Sequence, residues 1–247
     1  LVIWQAPAAV CVVSLRKITA MEQLPFYIPA LFIAALLLTL FFLFKATRFS
    51  RTIAWLSLTW LFVSGILAFN GFYSDVSSMP PHMLFAVLPP LALMAFAFAS
   101  KRGRGFIDAI DPGTLTLLHL VRIPVELVLL FLFLEKKVPR IMTFEGNNLD
   151  ILSGISAPVI YYLVFVRKKY ARRTLLVWNI LCLLLLLNIV ITAILAAPYP
   201  FQQLAFDQPN RAVLYLPYIW LPAFIVPVVF FSHLVLMRQI MRGRFKV

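Results

Sequence analysis

The stretch TLTLLHLVRIPVELVLLFLFL, residues 114–134, carries only two charged side chains, Arg122 and Glu126. A helix of that length reaches about 30 Å at about 1.5 Å per residue, the thickness of a bilayer's hydrocarbon core. Its apolar residues lack the two-residue alternation of a membrane barrel strand, so it reads as a helix built to span. Six more windows share that character: residues 25–44, 53–73, 83–99, 149–166, 174–196 and 212–237. Over all 247 residues, 63% are hydrophobic, 13% are charged and the mean hydropathy is +0.96, which excludes a soluble globular protein. The expected fold class is all-α, a polytopic integral membrane bundle of seven transmembrane helices.

The basic residues divide unevenly between alternate connections. One side holds Lys45, Arg48, Arg51, Lys101, Arg102, Arg104, Arg167, Lys168, Lys169, Arg172, Arg173, Arg238, Arg242, Arg244 and Lys246. From Met21 onward the other side holds only Lys136, Lys137, Arg140 and Arg211. Positive charge is retained in the cytoplasm, so the amino terminus is expected outside and the carboxyl terminus inside. The net charge of +13 would suggest nucleic acid in a soluble chain; here it reports orientation. The partners it implies are anionic lipid headgroups at the cytoplasmic face, with no nucleic acid.

Residues 1–15 are apolar and are followed by Arg16 and Lys17, the reverse of the order in a secretory signal. Residues 1–20 are therefore expected to be an upstream extension or fragment end, Met21 the natural start, and residues 21–247 a single membrane domain. Its longest outer connections, residues 135–148 and 197–211, are too short for a soluble catalytic module. Cys11 and Cys182 lie in separate apolar runs, with neither a disulfide framework nor a metal spacing. Pro89, Pro90, Pro124, Pro158, Pro217, Pro222 and Pro227 fall within the windows, where each removes an amide donor and bends or reshapes its helix.

Function concentrates on Arg122 and Glu126, because an intramembrane charge costs from about 2.5 to above 10 kcal/mol depending on how it is measured. Their i, i+4 spacing puts both on one helix face, which His119 shares, so that face is expected to point into the bundle or a wet cavity. Pro124 leaves the carbonyl near residue 120 without its donor, an additional acceptor for the guanidinium. In a structural reading Arg122 and Glu126 neutralise each other and tie helices together through Asn179, Asn188 or a serine. In a functional reading Arg122 binds an anionic group while Glu126 or His119 exchanges a proton.

A second constellation is the outer segment MTFEGNNLD, residues 142–150. Glu145, Asn147, Asn148 and Asp150 are candidates for lining an outer mouth, joined by Asp75 and His82 on the preceding outer connection. The plainer alternative is a capped turn, with Asn147 or Asn148 capping the next helix and Asp150 in its first turn. No metal is expected. His119 and His233 share a depth, but His82 lies at the outer boundary and Glu126 stands about 10 Å further out along the helix axis than His119. Neither HExxH nor GxSxG occurs, so no catalytic residue is assigned.

Arg122-Ile-Pro-Val-Glu126 and residues 142–158 together resemble bacterial multi-span membrane proteins that carry a similar MTFEG-containing segment. The resemblance implies a bacterial cytoplasmic membrane and brings no activity with it. The leading expectation is a non-enzymatic bundle, without cofactor, that binds or moves a small anionic or proton-coupled solute through a polar site at mid-membrane. One alternative is an intramembrane enzyme acting on a lipid or lipid-linked substrate, with Glu126, Glu145 or Asp150 as acid or base. Another is a structural or assembly subunit whose charged face pairs with another protein's span.

Overall fold

A computed structural model describes residues 24–168 and 171–243. Residues 1–20 and Met21, the expected extension and start, lie outside the described residues. Among the described residues the chain is all-helical, with no strand.

Helices α1 (Tyr27–Ala46) and α2 (Arg51–Phe69) are both strongly apolar. Helix α3 (Leu84–Ala99) ends at Ser100, whose hydroxyl accepts from Gly103 N at 3.0 Å and caps α4 (Lys101–Ala109). These two helices meet at 96°. Asp111 then caps α5 (Pro112–Leu118), accepting from Thr114 N at 2.7 Å with Pro112 in the first turn, where its missing amide is not needed. A tight 3-10 turn, His119–Val121, leads into α6 (Arg122–Leu134). Helix α7 (Ile151–Tyr161) widens into a π turn at Tyr162–Val166, and α8 (Ala171–Leu195) follows. A second π turn, Leu221–Ile225, opens into α9 (Val226–Met241).

Among the described residues five helical runs are long and apolar enough to cross a membrane: Tyr27–Ala46, Arg51–Phe69, Pro112–Leu134, Arg173–Leu195 and Leu221–Met241. The bent α3–α4 pair makes a sixth if taken as one span, and Ile151–Val166 is a shorter apolar helix. Two boundaries differ from the sequence reading. The window at 212–237 is not helical at its start: a 3-10 turn occupies Ala212–Leu214, and the helical run begins at Leu221 and continues to Met241. Residues 101–109, read as a connection, form α4, because its apolar face packs inward with Ile107 fully buried while Lys101 and Arg102 remain exposed.

The α5–α6 run occupies the centre, packed against α1, α7 and α9, while α8 lies against α7 and α9. Outward faces carry large apolar side chains, among them Trp55, Phe62 and Phe69 on α2 and Leu184 and Ile191 on α8. An outer surface of this kind suits hydrocarbon surroundings. Proline shapes the α9 entry: Pro227 has no amide to offer the Ala223 carbonyl, and the Trp60 indole donates to that oxygen instead, at 2.9 Å. At the opposite end of α9, Asp108 on α4 accepts from Arg238 at 2.9 and 3.2 Å and from Arg242 at 3.2 Å. Gln239 fastens the same corner by donating to the Ile107 and Ile110 carbonyls.

Candidate functional site

Arg122 opens α6 and is 3% exposed. Its Nη1 donates to Asp150 Oδ1 at 2.5 Å and to the Cys182 carbonyl at 3.2 Å, and its Nη2 lies 2.7 Å from His233 Nε2. Four elements thus converge on one guanidinium: α6, the start of α7, α8 and α9. A guanidinium only donates, so His233 Nε2 must present a lone pair and the ring proton sits on Nδ1. That proton is donated to Asn179 Oδ1 at 2.8 Å, and Asn179 Nδ2 returns a bond to the His233 carbonyl at 3.1 Å. The assignment closes without contradiction, leaving a neutral His233 locked as an acceptor for Arg122.

The same reasoning fixes His119. Ser232 Oγ has one proton and donates it to the Val229 carbonyl at 2.7 Å, so it accepts from His119 Nε2 at 3.2 Å. His119 Nδ1 is then a bare lone pair, and it has no hydrogen-bond partner among the described residues. The two imidazoles lie side by side with centroids 4.4 Å apart, and Trp178 stands edge-on to His119 at 5.2 Å.

Glu126, one turn further along α6, is 2% exposed. Its Oε1 accepts from Asn148 Nδ2 at 2.6 Å, and its Oε2 has no partner among the described residues. Asn148 also donates to the Met142 carbonyl at 3.0 Å and accepts from Asp150 N at 3.0 Å. Every hydrogen-bonding atom of that amide is occupied, so the turn delivering Asp150 to Arg122 is rigidly held. Glycines let the backbone close around the site. A Cβ on Gly146 would collide with the Arg140 carbonyl, and one on Gly154 would meet Ile123 Cγ1 at 2.8 Å and the His119 carbonyl at 3.2 Å.

Several candidate positions fall elsewhere than the sequence suggested. No ion pair joins Arg122 to Glu126 among the described residues; the partner is Asp150. The extra acceptor is the Cys182 carbonyl rather than the one freed near residue 120. Asn148 and Asp150 are buried at the site instead of lining an outer mouth, whereas Glu145 and Asn147 are exposed. Asn148 does not cap α7 in the usual sense; it receives the amide of Asp150, which itself occupies the cap position with no side-chain cap bond. Asn179 is in the site through His233, while Asn188 is exposed and donates to the Asn147 carbonyl at 3.2 Å.

His82 stacks on Phe72 at 4.2 Å, bonds the Phe72 carbonyl and stands apart from the paired histidines. Asp75 accepts from Ser77, and its charge adds to burial in pushing the Tyr199 hydroxyl up to about 12. His233, Ser232 and the Cys182 carbonyl were not among the sequence candidates. The shared depth of His119 and His233 was the one signal pointing toward them. Among the described residues no group of three or more His, Cys, Asp or Glu is arranged to hold a metal ion, and a guanidinium at the centre would repel one.

Residues 79–241, about two thirds of the chain, match the family model described as a domain of unknown function, DUF8737. The chain belongs to that family. The DUF8737 region contains every residue of the site, from His119 to His233, and leaves out α1 and α2. No curated protein and no solved structure matches the chain.

Proposed function

We propose that this protein is a multi-pass membrane bundle that binds or moves a small anionic solute together with a proton, with Arg122 as the anion anchor. One observation carries the reading: a buried guanidinium is charge-balanced by a single carboxylate, Asp150, borne on a different segment. An unbalanced charge in hydrocarbon is costly, so a solute anion that takes Asp150's place on Arg122 requires Asp150 to accept a proton. One proton then accompanies each single negative charge. Glu126 and His119 suit the role of proton-exchange groups, because Glu126 Oε2 and His119 Nδ1 are buried without partners among the described residues.

In this reading the seven apolar helices all cross a bacterial cytoplasmic membrane, α3 with α4 as a bent span and α7 as a short one. The amino terminus lies outside, and the basic face meets anionic headgroups in the cytoplasm. The alternatives draw less support. An assembly subunit pairing through Glu126 needs that side chain to face outward, and it is buried. For an enzyme using Glu126, Glu145 or Asp150 as acid or base, Glu145 is exposed on the surface, while Glu126 and Asp150 are buried together at the site and bonded to Asn148 and Arg122.

The test is uptake by purified protein in vesicles. An inward proton gradient should drive accumulation from a panel of formate, acetate, chloride, phosphate and sulfate, and Arg122→Ala should abolish it while still inserting. Uptake by that variant at the wild-type rate would remove the reading.

A further inference from the structure

We propose that Asp150 is a tethered occupant of the Arg122 anion subsite and that the free ligand it stands in for is a small monovalent carboxylate. The inference rests on Arg122 as anion anchor and adds the chemical class of the anion.

The donor set on Arg122 has a shape that suits a single carboxylate. Arg122 Nη1 already holds a carboxylate oxygen, with the Cys182 carbonyl at its side, and Nη2 is closed off by the lone pair of His233. Both neighbours are acceptors, so neither assists a second negative charge. Arg122 Nε is buried without a partner among the described residues. A small carboxylate free of Asp150's backbone tether fits the Nη1 donor that already holds a carboxylate oxygen, whereas Nε lies on the Nη2 edge of the guanidinium and is not reached from Nη1. One guanidinium balances one negative charge; a dianion such as sulfate leaves a net charge enclosed among apolar helices.

Asp150's point of attachment couples the subsite to its own protonation. The residue ends the 142–150 segment, which lies against the site through Asn148 and Asp150 rather than forming part of a long helix. Two fastenings hold this segment to the site, Asn148 to Glu126 and Asp150 to Arg122, with the Asn148–Asp150 bond joining them. The groups facing Asp150 are Arg122, Glu126, Cys182 and the Ser153 hydroxyl, and Arg122 is the one cation among them. A proton on Asp150 therefore removes the competitor from Arg122 and one fastening from the segment in the same step. The proton moves from solution to the Asp150 carboxylate, and the incoming carboxylate takes the vacated guanidinium.

Cys182 is buried within this cluster and reports on the site directly. The experiment uses the full chain in nanodiscs with Cys11→Ser, and follows labelling of Cys182 by a charged maleimide. Asp150→Ala should label several-fold faster than wild type. Formate or acetate should slow that labelling and raise the melting temperature, sulfate at matched ionic strength should do neither, and Arg122→Ala/Asp150→Ala should be unprotected by any of them. Protection by sulfate equal to that by acetate, or no protection by formate and acetate, overturns the proposal. If Asp150→Ala fails to fold, wild type is acidified in acetate or in sulfate: slower labelling in acetate supports the proposal, and equal rates overturn it. Failure here alongside Arg122-dependent uptake of another anion removes only the carboxylate class. Carboxylate protection without uptake removes only the movement of solute.

Discussion

Arg122 and Asp150 form a pair whose members differ sharply in what they leave behind. Removing Arg122 strands a carboxylate in a buried setting, and breaking a buried pair in this way costs about 3–5 kcal/mol. Removing both groups leaves no orphaned charge, so Arg122→Ala/Asp150→Ala should be less destabilised than Arg122→Ala alone in thermal unfolding. Additive losses would mean that the pair is not coupled. Tyr199, away from this site, gives a second expectation with a defined sign. Its hydroxyl is held up to about 12 in the folded protein against an ordinary value of 10.0, so the folded state keeps that proton more tightly. The resulting stability is complete below pH 10 and is lost as pH rises from 10 toward 12. Tyr199→Phe should therefore show a shallower alkaline decline in melting temperature, and an unchanged slope would assign that decline to other groups.

At the scale of elements, α7 approaches the 119–123 backbone closely enough that Gly154 has no room for a side chain. Gly154→Ala should push α7 outward and cost about 1–3 kcal/mol by overpacking. Because Asp150 sits at the head of α7, the same variant should label faster at Cys182; a stability loss with unchanged labelling would separate packing from site geometry. The long helices were legible in the sequence because length and hydropathy alone specify an apolar span. Helix α4 was not, because its apolar face covers little more than two turns and the Lys101–Arg104 cluster reads as a charged connection. The α9 boundary was missed because residues 212–220 are as apolar as the helix itself, and only the spacing of Pro217, Pro222 and Pro227 marks the change. Arg122, Glu126 and His119 were legible because their cost in an apolar run is local information. Asp150 as Arg122's partner was not: the two lie 28 positions apart, and Glu126 at i+4 offered a nearer carboxylate that packing turned toward Asn148 instead.

For the whole molecule, the division of basic residues predicts which connections share a side. Single cysteines replacing exposed residues of the 47–50 turn and of α4 should react from one face of the membrane. Those placed at Ser77 and Glu145 should react from the other, as read with an impermeant reagent on sealed right-side-out vesicles. Labelling of both sets from one face would overturn the seven-span topology. The assembly also couples its centre to an optical signal. Trp178 stands edge-on to His119 and donates its indole proton to Ser156 on α7 at 2.8 Å. With the chain's other tryptophans replaced by phenylalanine, Trp178 becomes a native fluorophore beside the imidazole of His119. A proton arriving on that imidazole turns it into a quencher, so the emission of one indole would report the protonation state of His119 without any attached dye.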